Sequence, residues 1–199
     1  MRNPDVRAAR IAALIEPHIA PLTEFVHALR ARDGNEYPYF DPADGGTSAS
    51  ILFLLEKPGP MTVQKGKGLR VGSGFISRDN DDPSAEASFR FHQQAGVDRM
   101  QSVVWNVIPG WNGTIKVSQA ELRSGVHDVT RLVNLLPKLR TIVLVGRKAA
   151  KAEAMIRSIG DYRIFSSAHP SPRVRASNPQ LWSSIPEVWA EAWAATAAT

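Results

Sequence analysis

Four polar side chains sit at the ends of apolar runs. Glu56 and Lys57 follow directly on Ile51–Leu55, Asn106 lies within 102–107 (SVVWNV), and His169 comes just after 162–166 (YRIFS). Carboxylates and ammonium groups are expensive to take out of water, so a buried strand that ends on both asks for a reason. Together the four supply a carboxylate, a cation, an amide that donates and accepts, and an imidazole. Parallel sheets gather ligands at the carboxyl ends of their strands, which makes these exits a candidate active site.

The elements that must position them are legible as periodicity. Short apolar runs at 51–55, 102–107, 141–145 (TIVLV) and 162–166 read as buried strands. Helices separate them. One is expected from the cap Asp82 and Pro83 to just before Gly96, and a second from Ser118, whose partner Glu121 completes a capping box. A third spans about 147–160, and a last begins at Pro186. Residues 5–31 carry helical spacing that Pro17 and Pro21 break or kink, and a loop rich in Gly, Pro and Asp follows at 33–48. Strands alternating with helices predict parallel βαβ units. The expected fold is α/β, a three-layer α/β/α sandwich around a mainly parallel four-stranded sheet. It is read as one domain over 1–199, with leading helices and loop at 1–48, a core at 49–185 and a C-terminal helix from 186.

Composition bounds the chemistry. Among 199 residues there is no cysteine, which removes disulfides, thiolate zinc sites and iron–sulfur clusters. No apolar run approaches the ~18 residues of a membrane span. The first ten residues lack an apolar signal core, so a soluble, cytoplasmic protein is expected. The net charge is +5. A basic balance favours an anionic partner, nucleic acid being the commonest, although many small basic enzymes never touch DNA.

The ordered exits resemble those of the uracil-DNA glycosylase superfamily. His169–Pro172 followed by Arg173 (HPSPR) looks like its second signature, in the form carried by the single-strand-selective branch. Glu56–Pro60 (EKPGP) stands in the place of its first signature, known as GQDPY, GEAPG or GINPG. The strand ending near Asn106 and the stretch Val143–Gly146 match in order and spacing, so the resemblance covers about residues 50–180. It implies hydrolysis of the bond between uracil and deoxyribose in single- or double-stranded DNA. An abasic site and free uracil would be the products, with no metal or organic cofactor and a monomeric enzyme.

The resemblance also implies roles. His169 donates to a uracil carbonyl oxygen, where negative charge develops. Asn106 donates to O4 and accepts from N3–H, a pattern that cytosine reverses. Phe75, in GSGFISRDN, stacks on the base, with Gly72 and Gly74 letting backbone approach it. Pro58 and Gly59 shape the first loop, and Arg78 contacts phosphate or braces it. Ser171, Pro172, Arg173 and Arg175, with Lys65 and Lys67, face DNA. Two positions depart from the family. Lys57 stands where Asp or Asn is usual, which leaves Glu56 to position water or stabilise the sugar cation, and turns Lys57 towards phosphate or solvent. Gly59 stands where a tyrosine walls off the 5-methyl of thymine, so that exclusion comes from elsewhere or larger 5-substituents are accepted. Each residue also has a plainer reading: a turn at HPSP, a capping histidine, a turn-capping asparagine, a core phenylalanine, a loop-serving Glu56–Lys57 pair. Two rival functions stay open, a non-catalytic binder of uracil-containing or damaged DNA and a nucleoside or nucleotide hydrolase. Trp182, Trp189 and Trp193 read as packing for the last helix.

Overall fold

The computed structural model describes residues 1, 3–33, 35–59, 62 and 72–197. The leading segment forms α1 (Pro4–Ala12), a 3-10 turn and α2 (Ala20–Arg32), with Pro21 accommodated in the first turn of α2. A short β1 (Tyr39–Phe40) precedes β2 (Ile51–Leu55), and β3 (Phe75–Ile76) precedes α3 (Pro83–Gln94). Then come β4 (Ser102–Asn106), α4 (Gln119–Val133), β5 (Thr141–Val145), α5 (Glu153–Arg157) and β6 (Arg163–Ser167). Two short helices, α6 (Pro172–Ser177) and α7 (Pro179–Ser183), lead into α8 (Ile185–Ala197).

The central sheet has the order β4-β2-β5-β6 and every pairing is parallel. Helices cover both faces, giving the expected three-layer α/β/α architecture. On one face Phe53 meets His92 of α3 and Trp189 of α8, with ring centroids 4.4 and 5.0 Å apart. The opposite layer is built on α4, which lies beside α5 and is tied to α2 by Arg32–Asp128 at 2.7 Å. Leu52, Phe53 and Leu54 are essentially inaccessible. Each such side chain removed from water contributes about 1.5–3 kcal/mol.

The expected caps form. Asp82 Oδ1 accepts from Ser84 N and Ala85 N at 2.9 and 3.0 Å, and Ser118 and Glu121 make the reciprocal capping box. Four details differ from the sequence reading. β6 is shifted by one residue, to Arg163–Ser167. The helix expected over 147–160 is a 3-10 turn, Ala149–Ala152, followed by the five-residue α5. β1 and β3 pair in parallel as a separate two-stranded ribbon, held by Phe40 stacking on Trp105 at 3.6 Å. The segment after HPSP, for which no helix was expected, is helical. Ser171 and Asn178 each cap a following helix whose first residue is proline, a helix start repeated within seven residues. Among the described residues no helix is long and apolar enough to cross a membrane.

Candidate active site

Register brings the strand exits together. Leu55 is the partner of Asn106, and the ladder continues past both ends, with Val107 N donating to Leu55 O at 2.7 Å and Ile108 N to Glu56 O at 2.9 Å. The first exit is thereby pinned to the second. Above them opens a cavity of about 280 Å³. It is small against the ~300–1,000 Å³ of drug-sized pockets and suits a single heterocyclic ring. It is lined by Lys57, Pro58 and Gly59, by Ile76, Arg78 and Asn80, and by His169 and the start of α3.

Asn106 faces this cavity because strand side chains alternate: Val104 and Asn106 point inward, while Trp105 points away onto Phe40. Asn106 is 2% exposed, yet its amide Nδ2 has no hydrogen-bond partner among the described residues. A buried donor left unmet in a cavity wall is costly and calls for a ligand.

His169 stands across from it, in the turn where Ser171 N donates to its carbonyl at 2.8 Å. Its Nδ1 is likewise buried without a partner. Burial pushes the imidazole below its ordinary range; the charges of Glu56 and Asp82 oppose this and that of Lys148 adds to it. The ring is therefore neutral at neutral pH. Gly146, at φ 96°, lets the β5 exit pass close behind it: a Cβ there would lie 3.1 Å from the His169 Cβ. No other residue fits that backbone and that gap without strain.

Lys57 departs from the expectation of solvent or phosphate. Its side chain is 3% exposed, and Nζ donates to Glu121 Oε1 at 2.6 Å, Asn112 Oδ1 at 2.7 Å and Lys116 O at 3.3 Å. The ammonium clamps the first exit to the start of α4, and that bond is the main cause that holds Glu121 down at about 2. Glu56 is bound to Lys148 Nζ at 2.6 Å and is not among the residues that wall the cavity, although its charge reaches His169.

The remaining candidates divide. Pro58 and Gly59 are in the wall, and a Cβ added at Gly59 would meet nothing within 4 Å among the described residues. Gly74 accepts from Tyr39 N at 2.7 Å as part of the β1–β3 ribbon. Phe75 is fully buried there, 6.0 Å from the Tyr39 ring, and its neighbour Ile76 lines the cavity instead. Arg78 is 4% exposed; it donates to Ser102 Oγ at 2.9 Å and approaches Asp44 at 3.4 Å, so it braces the wall. Asp44, buried beside Asp41, Arg78 and Arg99, is pushed up to about 6 by burial. Ser171 caps α6 and Pro172 opens it. Arg173 and Arg175 are exposed on α6, with Arg175 5.1 Å above the Trp182 ring. Lys65 and Lys67 lie outside the described residues. Sequence reasoning missed Asp82, Ser84 and Ser88, which bring the first turns of α3 to the cavity. The Asp-Pro pair was legible as a helix start; that this start faces the carboxyl edge of the sheet was not.

No protein-family model matches the chain, and no curated protein matches it. Among solved structures it is similar to a solution NMR structure of "a putative Uracil DNA glycosylase from Methanosarcina acetivorans". The two are 20% identical with a TM-score of 0.51, over 73% of this chain and 91% of the other. The likeness is one of fold.

Proposed function

We propose that this chain is a single-domain, monomeric hydrolase that cleaves the N-glycosidic bond of uracil in DNA and leaves an abasic site. One observation carries the reading: a buried Asn106 amide without a partner among the described residues and the His169 imidazole share one ring-sized cavity at the carboxyl edge of the sheet. A uracil in the cavity gives Asn106 Nδ2 an acceptor at O4 and its Oδ1 a donor at N3–H. As the bond from C1′ to N1 breaks, its electron pair moves onto the base, and His169 donates to the uracil oxygen that becomes negative. Water supplies the oxygen that joins C1′. The base reaches the cavity only when rotated out of the stack. Arg173 and Arg175, with Lys65 and Lys67, are the proposed phosphate contacts. The reaction as written uses no metal or organic cofactor.

The second reading is a binder that keeps the pocket without the chemistry. It is favoured by one observation: both charged groups of the first exit are engaged elsewhere, Glu56 with Lys148 and Lys57 with Glu121. Cleavage of a uracil oligonucleotide in EDTA separates the two, and free nucleosides assayed alongside test the small-molecule hydrolase.

A further inference from the structure

Resting on the glycosylase reading, we infer that Asp82, not Glu56, is the carboxylate that acts at the sugar. Glu56 spends Oε1 on Lys148 at 2.6 Å and lies outside the cavity wall. Asp82 is in that wall, and it also borders a neighbouring open groove lined by Asp79 and Glu86. Arg78, Asn80 and Asp82 belong to both, and the proposal places the mouth of the cavity at this shared border. A nucleotide whose base fills the cavity and whose phosphates stay outside must hold its sugar at that mouth. Within the groove Asp79 is neutralised by Arg10 and Arg99 at 3.0 and 2.9 Å.

The carboxylate is also preorganised. Ser84 N and Ala85 N hold Oδ1, while Oδ2 accepts no hydrogen bond among the described residues. The group cannot turn away without uncapping α3, so its second oxygen keeps a fixed aim. Its charge is close enough to act on His169 across the cavity. Fixed charge aimed at where opposite charge develops stabilises a transition state without reorganisation. Positive charge grows on C1′ as the C1′–N1 pair leaves with the base. Asp82 Oδ2 faces that charge and accepts a hydrogen bond from the attacking water. The water oxygen bonds to C1′, its proton passes to Oδ2 and then to solvent, and the departing uracil anion takes a proton from solvent.

Asp82→Asn isolates the charge, because asparagine caps a helix as well as aspartate does. Single-turnover excision from a saturating uracil oligonucleotide, with its Kd and the Tm, is measured for wild type, Asp82→Asn and Glu56→Gln. The expected result is a rate about 10²–10³-fold lower for Asp82→Asn, within the range for a lost acid–base group. Its Kd stays unchanged or tightens and its Tm holds, while Glu56→Gln stays within about tenfold of wild type. If Asp82→Asn loses Tm, Asp82→Ser, also a good cap, carries the same test. An active wild type with Asp82→Asn within about threefold of it overturns the assignment alone. A wild type that excises no uracil overturns the glycosylase reading and the assignment with it.

Discussion

Replacing Lys57 by methionine separates a structural lysine from a catalytic one. Methionine keeps the stem that walls the cavity and removes the ammonium that Glu121, Asn112 and the Lys116 carbonyl share. Truncating one partner of a fully buried pair costs about 3–5 kcal/mol. Here the partner is less needy: Glu121 is 26% exposed and still accepts from Asn112 Nδ2 at 2.9 Å and Ser118 N at 2.8 Å. The expected loss is therefore nearer that of one hydrogen bond to a charged group, about 1.5–3 kcal/mol. At about 2–4 °C per kcal/mol for a chain of this size, Tm should drop by about 3–12 °C. Single-turnover excision should stay within about tenfold of wild type, because the ammonium is aimed at α4. A cycle with Glu121→Gln should return a coupling energy above about 0.5 kcal/mol, as groups in contact do. Thermal melts measure the Tm, urea melts the coupling energy, and a quenched gel assay the rate. A rate loss of a hundredfold or more at unchanged stability would refute the clamp and make Lys57 the catalytic group.

His169→Ala should lower the single-turnover rate by about 10²–10³ with DNA affinity little changed, since its hydrogen bond strengthens mainly in the transition state; equal losses in both would make it a binding residue. Asn106→Asp should erode discrimination between uracil and cytosine, because a carboxylate accepts from cytosine N4–H₂ and repels uracil O4; undiminished discrimination in a folded variant would remove Asn106 from base recognition. His92 supplies a pH test. It donates from Nδ1 to Ser88 O at 2.7 Å, and burial holds it well below its ordinary range. Its depressed folded value makes its contribution complete above about pH 6.5 and lost as pH falls below that, where the unfolded chain takes up the proton. Between pH 7 and 5 the stability of His92→Phe should fall less steeply than that of wild type, and parallel slopes in urea melts would contradict this.

Legibility tracked how local the cause was. The four apolar runs, the Asp82 cap and the Ser118–Glu121 box are short-range signals, and each reappears within a residue of its expected place. Asn106 and His169 were visible because a polar group closing a buried strand is conspicuous. The β1–β3 ribbon was invisible because two residues carry no period, yet it decides that Ile76 rather than Phe75 meets the cavity. The fate of Lys57 was hidden for another reason: its partner Glu121 is 64 positions away and was already explained as a capping residue. The place of Asp82 in the cavity wall was masked likewise, since a capping role already accounts for an Asp before Pro.

The central claim is tested most directly by one gel. Purified protein is incubated in EDTA with matched oligonucleotides carrying a single uracil or thymine, in single- and double-stranded form, and abasic sites are then cleaved with alkali. The account predicts strand breaks at uracil, abolished or greatly slowed in His169→Ala. Intact uracil strands at every salt concentration, with the oligonucleotide nonetheless bound, would contradict it and leave a binding protein in its place.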